Sequence, residues 1–365
     1  MAEISRGPGM KRAKNLFAHV VSFDNLWKAS RKARRRKRMR ASTASFEFNL
    51  EEELLRLHGE LTEGQWRPGP YRQFFIYEPK RRLISAAPYR DRVVHHAMMN
   101  VLEPIFDRGF IHDTYACRKG KGTHVALRRA EAFIRASAYV LQCDIVRFFP
   151  SIDHEILYER IARKIGDPKV LRLCRLIIDS AVESASTFEY LPGDNLFSPV
   201  SRRAGLPIGN LTSQVWANVY LDALDHHIKE SVGVKRYIRY CDDLVCFGND
   251  RKHLWDIRRS INEYAGRLKL RLHDDRPAVF PARSGLTFLG FRISQERTRL
   301  KRETVQRFRR RLKKRRQEYE ARQISFRQLH CSVQSMIAHV KWSSSFGLRK
   351  RLLEPIVFSR GAGPA

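Results

Sequence analysis

Apolar residues follow two different spacings along this chain. In some segments they recur every three or four positions, as on one face of a helix, and in others they alternate or run together, as in strands. The first spacing predicts helices at residues 51–61, 92–106, 123–135, 212–228 and 253–268. The second predicts strands at residues 73–77, 139–145, 237–247, 268–272 and 287–293. This mixture predicts an α+β fold, with a helical C-terminal part that begins at about Arg302.

Two adjacent aspartates, Asp242 and Asp243, interrupt the apolar segment YIRYCDDLVCF. Unpaired buried carboxylates are costly and neighbouring ones repel, so we expect a cation to neutralise this pair. Successive strand residues face opposite sides of a sheet, so both side chains reach one site only at a tight turn. The segment therefore predicts a hairpin with both aspartates at its tip. An ordinary surface turn is the alternative, because Asp is common in turns.

A third carboxylate, Asp144, ends the apolar strand VLQCD and precedes the aromatic pair at 148–149. Phosphoryl transfer through two Mg²⁺ ions needs carboxylates from separate parts of the chain at one point. Asp144, Asp242 and Asp243 would supply them, and Ile145 completes the expected metal-contacting positions. Mn²⁺ is the alternative metal.

The charge of the chain adds a polyanionic partner to this picture. Its 70 Lys and Arg residues against 38 Asp and Glu residues give a formal net charge of +32. Basic blocks at residues 31–40 and 301–316 flank the acidic segments, which favours a nucleic-acid clamp. A solvated helix face or a flexible tail is the alternative for each block. No apolar run approaches the roughly 18 residues of a membrane span, and no secretion signal is apparent, so we expect a cytoplasmic protein that does not contact membranes.

Other reactive residue types argue against other chemistries. The six cysteines are scattered without a C-x-x-C pair, so we interpret them as reduced and mostly buried thiols. The pairs His95–His96 and His226–His227 lack carboxylate or cysteine partners at metal spacing and are interpreted as structural or backbone-contacting. Ser213 has no adjacent base, which argues against acyl transfer. Asp153 is interpreted as a helix N-cap.

Together these segments resemble the reverse transcriptases. YCDD at 240–243 resembles their Y-x-D-D signature, and DIVRFF at 144–149 resembles their first catalytic motif. Each pattern alone is weak, but both occur here in the family's order, and the resemblance extends from about Asn15 to Leu353. It implies an RNA-directed DNA polymerase that takes deoxynucleoside triphosphates and an RNA template with its primer. One metal ion would lower the pKa of the primer 3′-hydroxyl, and the other would hold the triphosphate.

The resemblance also implies a right-hand polymerase fold with fingers, a palm built on an antiparallel sheet with helices, and a helical thumb. The expected boundaries are a basic N-terminal segment at 1–40, fingers at 41–136, a palm at 137–298, a basic thumb at 299–356 and a flexible tail at 357–365.

Several residues would contact the incoming nucleotide if the resemblance holds. Arg82 and Lys80, in the segment that resembles the fingers motif, would contact its triphosphate. Phe149 occupies the position of the family's steric gate, where a bulky ring excludes a ribose 2′-hydroxyl, although core packing is the alternative role. Arg276 stands where the family usually has a lysine, so electrostatic stabilisation of the leaving pyrophosphate is favoured over proton donation.

The segment GLPIGNLTSQ at 205–214 resembles one group within the family, the reverse transcriptases of diversity-generating retroelements. These enzymes copy a template-repeat RNA with errors at adenines. Ile208 stands where glutamine is usual, followed by Gly209, and Gln214 stands where proline is usual. Glutamine can hydrogen-bond near the nascent base pair and isoleucine cannot, so geometric checking of the nucleotide would be looser. Ile208 as a plain core residue is the alternative.

Template and primer contacts are implied by three further segments: TYACRKGKGTH, the tyrosine of YCDD, and GLTFLGFRI, which resembles the primer grip. The expected contact residues are Arg118, Lys119, Lys121, Tyr240, Leu289 and Gly290.

The resemblance further implies a small basic accessory protein that assembles as a barrel-like oligomer on the polymerase. Three rival interpretations stay open. The nearest is another bacterial reverse transcriptase, either related to group II introns or of the phage-defence type. An RNA-dependent RNA polymerase is disfavoured by Phe149. A non-catalytic basic RNA-binding scaffold explains the charge but not the three carboxylates in apolar strands.

Overall fold

A computed structural model of the chain describes residues 12–77, 81–181, 202–274, 278–356 and 358. Lys80 and Arg276, two of the expected nucleotide contacts, lie outside these described residues. The predicted tail at 357–365 also lies outside them, apart from residue 358.

A helical layer forms the N-terminal part. Its helices are α1 (Phe17–Val21), α2 (Phe23–Ala33), α3 (Ala41–Phe48), α4 (Leu50–Thr62) and α5 (Tyr89–Asp107). Leu26 and Ala29 of α2 are fully buried, while the basic residues of the 31–40 block continue beyond the end of α2 in turns. The described part of the predicted N-terminal segment is therefore a component of the core that carries charge on its outer side.

Two strands and one helix complete the region predicted as fingers. The antiparallel pair is β1 (Arg72–Ile76) and β2 (Arg82–Ala86), and the helix is α6 (Thr123–Arg135). Between the strands and α6, the chain passes through α5, whose buried residues face the helical layer.

A four-stranded antiparallel sheet, here called the central sheet, lies in the region predicted as the palm. Its order is β4 (Tyr237–Tyr240), β5 (Asp243–Gly248), β3 (Tyr139–Asp144) and β6 (Val279–Pro281). The helices of this region are α7 (Phe148–Ser151), α8 (His154–Lys164), α9 (Pro168–Asp179), α10 (Leu211–His226) and α11 (Arg251–Arg267). Helix α11 packs against β3, β5 and β6. Asp153 caps α8 as predicted, because its carboxylate accepts hydrogen bonds from the backbone amides of Glu155 and Ile156.

A small sheet connects the central sheet to the C-terminal helices. Its strands are β7 (Leu286–Phe288), β8 (Phe291–Ile293) and β9 (Thr298–Leu300), and the helices that follow are α12 (Arg302–Glu320), α13 (Phe326–Val340) and α14 (Phe346–Leu353). Strand β9 spans the predicted boundary between palm and thumb at 298. The rings of His124 on α6 and Trp342 after α13 stack with centroids 4.5 Å apart, which joins the C-terminal helices to the rest.

Most predicted elements are present, and one predicted strand is wrong. Each predicted helix occurs within a few residues of its expected bounds, and the apolar segments at 237–247 and 287–293 each fold into a hairpin. The predicted strand at 268–272 is absent, and only Leu272 forms an isolated bridge, with Ile145. Lys269 has φ of +55°, which breaks an extended backbone. The alternating apolar residues Leu268 and Leu270 are nonetheless buried. The alternating pattern therefore correctly indicated burial, although the segment does not pair as a strand.

The cysteine and membrane expectations are answered in part. All six cysteines are free, but only Cys143, Cys174 and Cys246 are buried. Cys241 is half-buried, and Cys117 and Cys331 are exposed, so "mostly buried" was wrong for half of them. Among the described residues, no helix is both long enough and apolar enough to cross a membrane.

A fully buried ion pair joins strand β4 to helix α10. The Arg239 guanidinium and the Asp225 carboxylate both have no exposed surface, and their closest nitrogen and oxygen atoms are 2.6 Å apart. Arg239 Nε also lies 2.8 Å from Asp225 Oδ1, so the contact is bidentate, and the Tyr237 hydroxyl donates to that oxygen at 2.8 Å. Burial alone would lower the pKa of Arg239, but the Asp225 carboxylate raises it, so the guanidinium remains charged.

The remaining guanidinium nitrogen of Arg239 reaches two further groups. Nη1 donates to Oδ1 of Asn218 on α10 at 3.0 Å and to the backbone carbonyl oxygen of Cys241 at 3.1 Å. Asn218 in turn donates from Nδ2 to the carbonyl oxygen of Ala116 at 2.9 Å. One buried side chain therefore connects a helix, a strand and the turn that follows the strand.

His226, in the second histidine pair, forms ion pairs with two carboxylates that the sequence analysis had not assigned to it. His226 has acidic partners four residues away on both sides, with Nε2 at 3.5 Å from Asp222 and Nδ1 at 2.6 Å from Glu230. Nε2 also lies 2.9 Å from the carbonyl oxygen of Gly109, so the predicted backbone contact is confirmed. The prediction that His226 lacks carboxylate partners was wrong. The hydrogen bond with Asp222 and that with Glu230 raise the pKa of His226 to about 10, although burial opposes this shift.

We expect Arg239→Met to lower the free energy of unfolding by about 3–5 kcal/mol, because it leaves a buried carboxylate without its counter-charge. Urea unfolding followed by circular dichroism measures this loss. Tyr237→Phe is the matched control, since it removes one hydrogen bond to the same carboxylate and should cost about 1 kcal/mol. A loss for Arg239→Met no larger than that of the control would contradict the role of the ion pair.

We expect the contribution of His226 to stability to be complete below pH ~6.5, the usual pKa of histidine, and to disappear as pH rises towards 10. The folded state keeps a proton that the unfolded state has already released in this range. The difference in unfolding free energy between the natural protein and His226→Gln should therefore shrink between pH 6.5 and 10. His227→Gln is the control, because burial lowers the pKa of His227 and its contribution should stay constant in this range.

Candidate active site

The register of the central sheet places the predicted catalytic carboxylates at one end of two neighbouring strands. Asp144, the last residue of β3, is paired with Asp243, the first residue of β5. Tyr240 at the end of β4 is paired with the same Asp243, so Cys241 and Asp242 form a two-residue connection. The predicted hairpin is confirmed, but its tip is Cys241–Asp242, and Asp243 already belongs to a strand.

The sequence of the β4–β5 hairpin explains why it folds at this place. Ile238 and Val245 are fully buried in one apolar cluster and Leu244 lies buried in another, so the strands are apolar on both faces and lie inside the protein. Cys241 has φ of +58°, the left-handed conformation that a tight turn requires. The hydrogen bond from Arg239 Nη1 to the Cys241 carbonyl oxygen stabilises that turn.

The environment of the three aspartates fits a hard divalent cation. Asp144, Asp242 and Asp243 are all half-buried, so solvent reaches them only in part. Carboxylate oxygens are the ligands that Mg²⁺ prefers. Ile145 is 2% exposed, so any contact with a metal ion would come from its backbone carbonyl and not from its side chain.

The neighbouring thiols are poor competitors for the role of ligand. Burial raises the pKa of Cys143, one residue before Asp144, to about 12, and burial likewise raises the pKa of Cys241. Thiolates are the ligand form of cysteine, and these two thiols are protonated near neutral pH. The carboxylate oxygens of Asp144, Asp242 and Asp243 are the hard donors at this end of the sheet.

The side chains do not form a ready-made metal cluster. Within the described ranges, no three Asp, Glu, His or Cys side chains converge closely enough to hold a metal ion. The backbone register of Asp144 and Asp243 is the feature that fits metal binding.

The expected steric gate lies directly after β3 but not in a strand. Arg147 has φ of +47°, which turns the chain out of the sheet into the short helix α7. Phe149 lies in α7, is half-buried, and contacts the ring of Phe148 with centroids 5.5 Å apart. Its carbonyl oxygen accepts a hydrogen bond from the amide of Leu206 at 2.9 Å, which joins α7 to the segment at 205–210.

The segment at 205–210, here called the 205–210 loop, brings other expected nucleotide contacts near β2. Ile208 is half-buried and Gly209 is exposed, so Ile208 is not an ordinary core residue. The amide of Ser85 in β2 donates to the carbonyl oxygen of Ile208 at 3.0 Å. Arg82, the first residue of the same strand, is exposed. The structure thus places Phe149, Ile208 and the strand of Arg82 around one connected loop.

Gln214 lies one turn into α10, where it is exposed. Its position after the loop keeps it available for contact with a ligand.

One expected nucleic-acid contact, Arg118, has internal partners in this structure. The Arg118 side chain is only 8% exposed, and its Nε forms a 2.6 Å ion pair with Asp107. Its Nη1 donates to the carbonyl oxygens of Ile111, at 2.7 Å, and Thr114, at 3.2 Å. Arg118 therefore holds the backbone around it through these internal contacts.

The two lysines of the same segment differ from each other. Lys119 is exposed and fits the expected phosphate contact. Lys121 donates from Nζ to the carbonyl oxygen of His112 at 2.9 Å and lies over the ring of Tyr115. Lys121 therefore has internal contacts, and Lys119 is the solvent-facing lysine of this basic segment.

The segment that resembles the primer grip lies against the β4–β5 hairpin. Leu289 and Gly290 form the tip of the β7–β8 hairpin, with φ of +51° and +86°. The carbonyl oxygen of Gly290 accepts hydrogen bonds from the Lys301 amide at 3.0 Å and the Thr304 hydroxyl at 3.1 Å, which fixes the tip to the start of α12. Tyr240 makes an edge contact with Phe288 of this hairpin, with ring centroids 6.5 Å apart.

Sequence reasoning missed three residues that shape this site: Arg239, Asp225 and Asn210. Arg239 had a visible signal, since a charged residue inside an apolar strand needs a buried partner. Asp225 and Asn210 lie in polar or mixed surroundings in the sequence, and only the fold shows that both are buried.

Comparison with known proteins identifies the family. Residues 77–293, which are 217 of the 365 residues, match the family described as reverse transcriptase (RNA-dependent DNA polymerase). Protein YkfC of Escherichia coli is 25% identical over 289 residues, covering 68% of this chain and 72% of that protein. Group II intron-encoded protein LtrA of Lactococcus lactis is 26% identical over 181 residues, covering 49% of this chain and 28% of that protein.

Apo telomerase from Candida tropicalis is similar in structure, with a TM-score of 0.46 and 11% sequence identity over 63% of this chain and 48% of that chain. This chain spans less than a third of the length of LtrA and about half of that telomerase chain. The observed mixture of helices and antiparallel sheets, together with the match to the family, confirms the predicted α+β right-hand polymerase fold. The chain belongs to the reverse transcriptase family of RNA-directed DNA polymerases.

Proposed function

We propose that Asp144, Asp242 and Asp243 bind the divalent metal ions of RNA-directed DNA synthesis. The pairing of Asp144 with Asp243 at the end of two antiparallel strands carries this proposal. Asp144, Asp242 and Asp243 would hold Mg²⁺, or Mn²⁺ in its place, and the bound metal would supply activation of the primer 3′-hydroxyl and neutralisation of the triphosphate. The protein supplies the carboxylates, holds the turn that bears Asp242 through Arg239, and limits water by half-burying the site.

The expected nucleotide contacts form the second part of the proposal. Arg82 on the exposed edge of β2 binds the triphosphate, and the ring of Phe149 excludes the ribose 2′-hydroxyl. Lys80 and Arg276 are proposed for the same phosphate groups on the strength of the family resemblance alone. Lys119, Tyr240 and the tip at 289–290 contact the template and primer.

We further propose that the enzyme copies a template-repeat RNA with errors at adenines, as in a diversity-generating retroelement. The segment IGNLTSQ and the position of Ile208 support this function. Ile208 is half-buried, in a loop fixed beside β2, and offers the nascent base pair an apolar side chain where glutamine is usual. A small basic accessory protein that assembles as an oligomer is proposed as the partner of the polymerase.

A reverse transcriptase related to group II introns is the second candidate. The name of LtrA, a group II intron-encoded protein, favours it. The two candidates differ in fidelity, because only the first predicts errors concentrated opposite template adenines.

We expect Asp242→Asn to reduce cDNA synthesis at least about 100-fold, since loss of even an outer-shell partner of a metal ligand costs 10–100-fold. Primer extension on a defined RNA template with Mg²⁺ and four deoxynucleoside triphosphates measures this rate. Asp256→Asn is the control, because this exposed residue of α11 makes a surface ion pair with Arg259. Unchanged synthesis by a folded Asp242→Asn variant would refute the metal site, whereas no synthesis by the natural protein would favour the scaffold interpretation.

We expect the natural protein to misincorporate nucleotides preferentially opposite template adenines. Ile208→Gln should reduce these errors about 2- to 10-fold, because the glutamine would add one hydrogen bond worth about 0.5–1.5 kcal/mol. Sequencing every cDNA from the same reaction, with the accessory protein present, gives the error rates. Ile208→Leu keeps an apolar side chain and should keep the errors. Accurate copying of adenines by the natural protein would leave the reverse transcriptase and remove the diversity function.

A further inference from the structure

Asn210 is a buried residue at the start of a helix that it does not cap. It occupies the N-cap position of α10 and is 2% exposed. An asparagine at this position normally accepts a hydrogen bond from an amide of the first helical turn. The Asn210 side chain makes no such bond. Its amide group is directed to another part of the molecule.

The Asn210 side chain binds the backbone at the end of β2. Its Oδ1 accepts a hydrogen bond from the amide of Ala87 at 3.2 Å, and its Nδ2 donates to the carbonyl oxygen of Ser85 at 3.0 Å. The Ser85 amide in turn donates to the carbonyl oxygen of Ile208 at 3.0 Å. Three hydrogen bonds therefore link the 205–210 loop to residues 85–87, and the Asn210 side chain makes two of them.

The loop and the strand approach so closely that only glycine fits between them. Gly209 has φ of +117°, and a Cβ atom added there would lie 2.9 Å from Cγ2 of Ile84. Such a contact is too short for real carbon atoms, so this spacing leaves no room for a side chain. The other end of the loop is bonded to α7 through the amide of Leu206 and the carbonyl oxygen of Phe149.

We propose that Asn210 is a positioning residue that fixes the distance between the phosphate-binding edge of β2 and the base-pair-facing Ile208. In this way it sets the affinity and selectivity for the incoming nucleotide. The proposal rests on the proposed function, since it assumes that Arg82 and Ile208 contact the two ends of one nucleotide.

The physical reason is that two contacts on one ligand act together only when their separation matches the ligand. Without the Asn210 amide, the Ala87 amide and the Ser85 carbonyl oxygen lose buried partners, and the loop can move away from β2 to reach water. The phosphate contact and the base-pair contact then no longer fit one nucleotide. A correct nucleotide loses more from this change than a mismatched one, which never fitted well.

The test uses Asn210→Ser and Asn210→Asp in the whole 365-residue chain, together with the proposed accessory protein. Serine and aspartate are both good N-caps, so α10 keeps a competent start. Serine is too short to reach both groups, and aspartate keeps the acceptor for Ala87 but loses the donor to Ser85. Single-nucleotide extension with correct and mismatched deoxynucleotides and with ribonucleotides gives KM and kcat for each.

We expect KM for the correct deoxynucleotide to rise about tenfold, as loss of about 1.4 kcal/mol implies, and kcat to change much less. The ratio of kcat/KM between correct and mismatched nucleotides should fall in parallel. Thermal unfolding monitors the fold of each variant. An unchanged KM and an unchanged ratio in folded variants would overturn the proposal.

Asn25→Ala is the matched control for the loss of a buried asparagine. Asn25 also joins two elements through two backbone carbonyl oxygens, those of Val20 and Ala97, each at 2.9 Å. The Asn25→Ala variant should have a lower melting temperature but an unchanged KM for nucleotides. An equal rise of KM in Asn25→Ala and in the Asn210 variants would overturn the proposal, because the effect would then follow general stability. A natural protein that makes no cDNA would instead refute the proposed function, and this inference with it.

Discussion

The arrangement of this protein depends on the buried pair of Arg239 and Asp225. Neither charge has any contact with solvent, so each is tolerated only because the other lies within hydrogen-bonding distance. Since one residue lies on β4 and the other on α10, the pair fixes how the helix lies against the sheet. The same guanidinium donates a hydrogen bond to the Cys241 carbonyl oxygen. A residue in the core of the protein therefore helps to position the turn that carries Asp242.

Backbone contacts gather the site from distant parts of the chain. The pairing of Asp144 with Asp243, the bond between Phe149 and Leu206, and the bond between Ser85 and Ile208 are all set by main-chain atoms or strand register. These main-chain contacts join the segments of the candidate site independently of the side chains that are proposed to face a substrate. This division explains how an exposed Gly209 and a half-buried Ile208 keep defined positions.

The positive charge of the chain is distributed between structural and solvent-facing roles. The guanidinium groups of Arg118 and Arg239 form ion pairs with carboxylates of the same chain, whereas the Lys119 side chain is exposed. In α12 the described apolar contacts are limited to a narrow face, which buries Phe308 and Leu312, and most of the basic residues point outward. A net charge of +32 thus indicates the class of partner correctly for this family, but it does not identify which cations meet that partner.

By itself, the sequence indicated the family through its resemblance to the motifs of known reverse transcriptases. Apolar periodicity, which acts locally, predicted the mixed fold and the hairpin that carries YCDD. The sequence also located Asp153 as a helix cap, since capping needs only the next few residues. The tertiary structure decided that Arg118 is internal, that residues 268–272 bury their apolar side without forming a strand, and that Asp225 and Asn210 are buried. Asn210 and Leu272 meet partners far away in the chain, whereas Arg118 meets partners only 4 to 11 residues away. In both cases no local pattern specifies which backbone group or carboxylate a side chain will meet.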